Sequence, residues 1–381
     1  MLKNISLLIY IALIKIKTFF SFKRGHPRIL IIKIDAIGDY IIFRNFIKEI
    51  AESAIYKGFK ITLVCNKTIR DIAIELDSEK IDEFIFIDGK ANFKTWLFYL
   101  KEIVKFKYHT VINFHYSRDL RNEFIAFAAS AGKKITMDGD YIFIKPYLKK
   151  IINSIYSSLV SIPINVVHEF EINQFFTETI ISAKLNYTHP YVSLPGCRKY
   201  PQVVYNPSTI IIAPGSGAGY RQFTSLVLFE IVQFLTENYF ICFIGSSSDT
   251  AIVDNLKNKL PQNKIDRLMD LTGKTSLKAI PYIIADSLCV ICNDSGMYHL
   301  SVALNKPVLC IAGGGHFKRF VSYKERENIK ISNFYMPCYN CNWGCIYKVP
   351  ANNPYPCLSS INAGDVFEKF RMIEEFSIPK K

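Results

Sequence analysis

The apolar run at the N-terminus stops far short of a membrane span. It covers residues 5–14, where a spanning helix needs ~20. No small-x-small cleavage site follows, so the usual mark of a secretory signal peptide is missing. Lys15, Lys17, Lys23 and Arg24 follow instead. Residues 1–24 therefore read either as an interfacial helix with lysines at its rim or as a helix packed on the protein itself. Acidic residues are also scarce, 33 against 47 basic ones, for a net charge of +14. Neither a zinc finger nor an RNA-binding aromatic motif accompanies that excess. The lysines are scattered rather than massed, which argues against nucleic acid and for an anionic substrate or membrane surface. No Lys-Ser/Thr completes a P-loop, and the glycines do not fit the dinucleotide fingerprint.

What is present suits two ordinary cores. The chain has 381 residues, half of them hydrophobic, and domains usually run ~100–200 residues. Residues 28–34 read as a buried strand, followed by a short loop at 35–39. Phe43, Phe46, Ile47 and Ile50 then follow helical spacing. Further strands are expected at 61–65, 84–87 and 110–114, with helices between them. Residues 141–207 are less regular, hold a helix near 170–184, and lead into a proline-punctuated linker. At Thr209 the pattern restarts, with strands at 210–213, 240–244, 288–292 and 307–311, each ending in a glycine or small polar loop. Strands alternating with helices predict an α/β chain built on parallel sheets covered on both faces. The expected divisions are 1–24, an N-terminal domain 25–200, a C-terminal domain 201–361, and a helix in 362–381 that crosses back to the first domain.

Three loops carry candidate chemistry. In Asn293-Asp294-Ser295-Gly296-Met297-Tyr298-His299 a strand ends and a helix begins at once. Asp294 or Ser295 can cap that helix. Its exposed N–H groups and positive end favour a phosphate, Gly296 permits close approach, and His299 lies near the first turn. An ordinary helix cap is the plainer alternative. Pro214-Gly215-Ser216-Gly217-Ala218-Gly219-Tyr220-Arg221 can form a backbone nest around an anion, with a hydroxyl and a fixed charge, or a plain flexible turn. Gly38-Asp39 offers a carboxylate that serves either as an N-cap or as a general base.

These segments, in this order, resemble glycosyltransferase family 9, the heptosyltransferase family. The likeness rests on Ile29-Leu30-Ile31-Ile32-Lys33-Ile34-Asp35-Ala36-Ile37-Gly38-Asp39, on Val111-Ile112-Asn113-Phe114 with Arg118, and on the Pro214–Arg221 loop with Phe223. Leu271-Thr272-Gly273-Lys274-Thr275-Ser276-Leu277 and Asn293-Asp294-Ser295-Gly296 complete it. The resemblance implies a GT-B architecture, two Rossmann-like domains facing across a cleft. It implies an inverting, metal-independent transfer of heptose or a related sugar from a nucleotide-sugar, ADP-heptose or another. The acceptor would be a lipopolysaccharide or other anionic cell-surface glycolipid. No cofactor is required.

Asp39 would act as the base. Gly38, Gly215, Ser216, Arg221, Asp294, Ser295, Gly296 and His299 would bind the donor, and Arg118 the acceptor. The protein would be cytoplasmic and peripheral at the inner face of the membrane. Alternatives are a nucleotide-sugar epimerase of similar architecture and a nucleotide-sugar-binding protein without catalysis. The chain departs from the family where Gly-Pro-Thr is common and Ala312-Gly313-Gly314-Gly315-His316 stands instead. Four of the ten cysteines, Cys338, Cys341, Cys345 and Cys357, cluster near the C-terminus. They read as a structural zinc site, as disulfides, or as a reduced packed loop.

Overall fold

The computed structural model describes residues 26–194, 206, 208–324 and 326–377. The segment 1–24 and Cys197 lie outside the described residues. Two compact units emerge: one within Met1–Val166 and Glu171–Asn186, the other within Val167–Phe170 and Tyr187–Lys381.

The first unit holds six parallel strands: β1 (Arg28–Lys33), β2 (Lys60–Asn66), β3 (Glu83–Ile87), β4 (Lys107–Asn113), β5 (Ser130–Met137) and β6 (Ser158–Val160). Their order is β3-β2-β1-β4-β5-β6. The helices are α1 (Ile37–Phe43), α2 (Asn45–Glu52), α3 (Arg70–Asp77), α4 (Phe93–Val104), α5 (Leu120–Ala128), α6 (Pro146–Asn153) and α7 (Glu169–Ile181), whose first two residues belong to the second unit. β1 is buried from Ile29 onward, as a strand covered on both faces must be. α1 continues into α2 through Arg44, whose backbone stays helical at φ −55° and ψ −30°. Arg44 is held there by buried Asp77, with Nη2 2.7 Å from Oδ1 and Nε 2.9 Å from Oδ2.

The second unit repeats the plan with β7 (Thr209–Ala213), β8 (Phe240–Phe243), β9 (Leu268–Asp270), β10 (Cys289–Asn293), β11 (Val308–Ile311) and β12 (Ile329–Ser332). All pair in parallel, in the order β12-β11-β10-β7-β8-β9. Its longer helices are α8 (Ser225–Leu235), α9 (Thr250–Lys257), α10 (Ile280–Asp286), α11 (Gly296–Ala303) and α12 (Ala363–Ser377), beside four-residue helical turns at Gln262–Ile265 and Pro356–Ser359. Thr224 starts α8 by accepting a hydrogen bond from the Val227 N–H at 3.2 Å. Val227, Ile231 and Leu235 then fall on one face and pack into the core with Ile212, Phe243 and Ile291. Each such side chain contributes ~1.5–3 kcal/mol when fully buried. α12 belongs to the second unit, with Val366, Phe370 and Ile373 buried in that unit's core.

Both sheets thus share one strand order, with the chain reversing direction beside the first strand. In open parallel sheets ligands bind at that reversal, beyond the carboxyl ends of the strands. It falls between β1 and β4 in one unit and between β7 and β10 in the other.

Candidate functional site

In the second unit the reversal point is tied by Asn293. Its Oδ1 accepts from the Phe223 N–H at 2.9 Å, and its Nδ2 donates to the Pro214 carbonyl at 2.7 Å. One amide side chain at the end of β10 therefore fixes both ends of the 214–223 loop. Arg221, in that loop, donates from Nη2 to the Asp294 carboxylate at 3.1 Å and to its carbonyl at 3.2 Å. Asp294 is buried, and burial lifts its carboxyl above the ordinary range despite the opposing charge of Arg221.

Ser295 takes the N-cap position of α11 with an extended backbone, but its side chain makes no capping bond. The first N–H groups of a helix have no intrahelical partner, so this end is open to an anion. Three buried polar atoms in this neighbourhood also lack a partner: Ser295 Oγ, Arg221 Nε and Trp343 Nε1. They are three of eleven such atoms among the described residues, and because buried polar groups in proteins are mostly satisfied, a cluster of them calls for a ligand or water.

The surroundings carry a positive field. Burial holds the His316 imidazole down to about 4, reinforced by Arg319 and Arg221. Burial holds His299 down to about 3, with the charges of His168 and Arg221 adding to it. His299, expected to reach the donor, has a buried ring that packs among aromatic rings, with Nδ1 3.0 Å from the Tyr323 hydroxyl.

The glycines of the 214–221 loop divide by purpose. A Cβ on Gly215 would stand 2.3 Å from Asp249 Oδ1, and one on Gly219 would stand 2.6 Å from the Asn352 carbonyl. Gly215 is thus a close-approach site for a protein carboxylate, which also accepts from the Ser246 N–H at 2.8 Å. Only Gly217 of the three faces open space. Ser216 turns back on its own loop, donating to the Ala218 carbonyl at 2.5 Å. Farther along the sheet edge, the Gly273 N–H donates to the Gly245 carbonyl at 3.0 Å. The Leu-Thr-Gly segment therefore leans on the loop after β8.

The triple-glycine segment has a physical cause. A Cβ on Gly314 would fall 2.3 Å from the Tyr339 ring, and one on Gly315 2.2 Å from the Trp343 ring. The cysteine-bearing loop lies directly on these glycines. Asn340 and Asn342 donate backbone N–H groups to the Gly314 and Gly315 carbonyls at 2.6 and 2.9 Å. Trp343 in turn lies under the Arg221 guanidinium, 4.9 Å from its ring centre. Tyr220 stacks on Tyr355 at 4.7 Å. The four clustered cysteines line a cavity of about 10 Å³ beneath this loop and are free thiols. Among the described residues no group of three or more His, Cys, Asp or Glu side chains has metal-binding spacing.

In the first unit, Asp39 lies in the first turn of α1, and the N-cap is Ala36. The N-cap reading of Asp39 is therefore corrected, since the helix starts at Ile37, earlier than its apolar spacing indicated. Beside it in sequence, Asp35 lies 2.9 Å from the buried Lys33 ammonium and 3.3 Å from His115 Nε2. His115 Nδ1 lies 2.6 Å from the Asn113 side-chain carbonyl. The Ile34 N–H donates to His115 Nε2 at 3.1 Å, which leaves Nδ1 as the imidazole's donor. Sequence reasoning passed over Asp35 and His115; their signal was position, each two residues past a strand end at the reversal point.

Arg118, the expected acceptor residue, is buried, with Nε 2.6 Å from Glu123 Oε1 and Nη1 3.2 Å from the Met137 carbonyl. Its Nη2 is buried without a hydrogen-bond partner.

Comparison with known proteins adds to this geometry. Residues 227–345 match the model of glycosyltransferase family 9 (heptosyltransferase). The chain is 30% identical over 79 residues to lipooligosaccharide heptosyltransferase 2 of Haemophilus influenzae, which covers 21% of this chain and 23% of that relative. The match thus spans under a quarter of that relative's length. The chain's fold is similar to that of ADP-heptose lipopolysaccharide heptosyltransferase II of E. coli. The TM-score is 0.68 at 14% identity, covering 92% of this chain and 100% of that one. It is also similar to a family 9 glycosyltransferase from Veillonella parvula, with TM-score 0.71 at 16% identity, covering 92% and 98%. The α/β fold with two parallel six-stranded sheets is the GT-B fold of those structures.

Proposed function

We propose that this chain, heptosyltransferase-like in sequence over residues 227–345 and in fold over nearly all its length, is an inverting, metal-independent glycosyltransferase. Its donor is a nucleotide-sugar, ADP-heptose or a relative. Its acceptor is a lipopolysaccharide or other cell-surface glycolipid at the inner face of the cytoplasmic membrane. The observation that carries the donor reading is the group of unpartnered buried atoms, Ser295 Oγ and Arg221 Nε, beside the uncapped start of α11. A diphosphate supplies the acceptor oxygens these donors lack.

In this reading the Asp39 carboxylate takes the proton of the acceptor hydroxyl as its oxygen attacks the anomeric carbon. The bond from that carbon to the diphosphate oxygen breaks, and negative charge develops on the leaving group. Arg221, the Ser295 hydroxyl and the α11 N–H groups stabilise that charge without having to reorganise. Gly217 leaves space where the backbone approaches the phosphates. The Asp294 carboxylate holds Arg221 in place rather than touching the anion, since two negative groups would repel.

A melting-temperature panel of nucleoside diphosphates and nucleotide-sugars tests the donor half. A native-state ligand at 100 times its dissociation constant stabilises by about 2.7 kcal/mol. No shift with any nucleotide would count against the site. A transfer assay with Asp39→Asn tests the base: transfer is expected to collapse while nucleotide-sugar binding persists. Full-rate transfer by that variant would remove Asp39 from the mechanism.

A further inference from the structure

The first unit carries a surface that the transfer chemistry does not use. From Tyr141 to His168 the chain contains no aspartate or glutamate, while Lys145, Lys149 and Lys150 are present. Within it, Tyr141, Ile142 and Phe143 are exposed one after another, and Phe143 keeps 65% of its surface in solvent. Ile144 is buried and anchors the segment, and α6 follows directly. On α6, Tyr147 and Ile151 are four residues apart and so share a face. They are 67% and 66% exposed.

The other face of α6 is accounted for. Lys149 is buried, and its ammonium donates to the Gly139 and Asp140 carbonyls at 2.7 and 2.8 Å. The same ammonium lies 4.1 Å from the centre of the Tyr141 ring. That contact ties the exposed 141–143 segment to α6 and makes one surface of the two. Ile152 packs against the core. Lys145 and Lys150 remain exposed at the margin of the apolar residues.

Single exposed apolar side chains are ordinary, but a contiguous group rimmed by one sign of charge marks an interaction site. The flanking Asp140 carboxylate is engaged by the Ser117 hydroxyl and the Ile142 N–H, and aromatic and aliphatic side chains with exposed lysines match an anionic bilayer interface. A folded protein partner would ordinarily be met by mixed charge at the rim.

We propose that Tyr141, Ile142, Phe143, Tyr147 and Ile151 insert into the headgroup region of an anionic lipid bilayer, with Lys145 and Lys150 pairing with its phosphates. This surface rests on the reading that the acceptor is lipid-borne. It does not require the N-terminal segment 1–24 to reach the membrane.

The test is sedimentation of the full chain with vesicles of phosphatidylethanolamine and phosphatidylglycerol, and with phosphatidylcholine alone. Binding to the anionic vesicles is expected, falling steeply with salt. The variant Phe143→Ser/Tyr147→Ser/Ile151→Ser is expected to lose at least about tenfold in partition, since each inserted side chain contributes on the order of a few-fold. Lys145→Glu/Lys150→Glu is expected to abolish the preference for phosphatidylglycerol. All the changed residues are solvent-exposed, so melting temperature and nucleotide-induced stabilisation should stay at wild-type values. Undiminished vesicle binding by the triple variant would overturn the proposal. So would a wild-type dimer in light scattering that the triple variant converts to monomer, because a second copy would then cover the face. Loss of nucleotide binding alone would strike the donor reading and leave this surface standing.

Discussion

Replacing Gly315 with alanine adds one methyl group to a buried loop with no room for it. The new carbon would stand 2.2 Å from Cδ2 of Trp343, 2.4 Å from Cε2 and 2.7 Å from Cε3. Carbon atoms in contact settle at about 3.5–4.0 Å, so the overlap exceeds an ångström. The atoms struck belong to the fused edge of a rigid indole, not to the free end of a flexible chain. The ring must therefore move, and the loop from Cys338 to Cys345 with it. Overpacking of this kind costs about 1–3 kcal/mol. Against that, alanine restricts the unfolded chain and returns about 0.4–1 kcal/mol. The net is a loss of roughly 0.5–2 kcal/mol, or several degrees of melting temperature for a unit of this size. The chain has two tryptophans, Trp96 and Trp343, so a Trp96→Phe background isolates the one that matters. Gly315→Ala in that background is expected to shift the emission of Trp343 to longer wavelength. It should also weaken nucleoside diphosphate binding, because Arg221 loses the ring beneath it. Gly217→Ala is the packing control: nothing lies within 4 Å of its Cβ, so emission and melting temperature should hold. Unchanged emission and melting temperature in Gly315→Ala would refute the account of the triple glycine.

Four further outcomes are expected. Asp294 has its carboxyl raised by burial, so its contribution is fully present below the ordinary carboxylate pKa and is lost as pH rises through the raised value. Urea unfolding from pH 4 to 7 should therefore show Asp294→Asn gaining on the wild type as pH increases; a gain in the opposite direction would refute the desolvation argument. His299, held down to about 3 by burial, contributes stability above the ordinary imidazole range that is lost as pH falls toward that value. His299→Gln should move the acid unfolding midpoint to lower pH, read by circular dichroism. Arg221→Ala leaves the Asp294 carboxylate buried without its partner; breaking a fully buried pair costs ~3–5 kcal/mol, and the partial exposure of Arg221 places this one below that range. Calorimetry should show donor affinity falling with it. Arg118→Ala should lower the melting temperature by stranding Glu123, with no selective change in acceptor KM.

Some of this was legible from residues alone. The buried strands around Ile31, Ile211 and Ile291 are apolar without interruption, so their pattern admits little else. Four strands escaped notice: β6, β9 and β12 have three or four residues each at a sheet edge, too short for any periodicity to register, and β5 is broken by Gly132, Lys133 and Lys134 before its buried end. Asp294 and Arg221 lie in two loops that the sequence set at strand ends, and the fold pairs them. That Asn293 is a clasp between two strand ends was not readable, because its partners are backbone groups about 70 positions away. The ion pair of Arg118 was hidden for a different reason: a charge in a loop after a strand suggests a ligand, and only the fold reveals the buried Glu123 beside it. Trp343 was visible only as an aromatic residue among cysteines. Its place against Gly315 depends on a contact between segments with no local signature.

That contact has a consequence for descent. Gly315 and Trp343 occupy the same few cubic ångströms, so neither position is free to drift alone. Among relatives of this chain, a side chain at the site of Gly315 should occur only where the indole has been lost, and a small residue at the site of Trp343 should release the glycine. The same linkage should join Gly314 to Tyr339. An alignment deep enough to score pairs should find these two couplings, and lineages that read Gly-Pro-Thr at this place should carry a different loop above it.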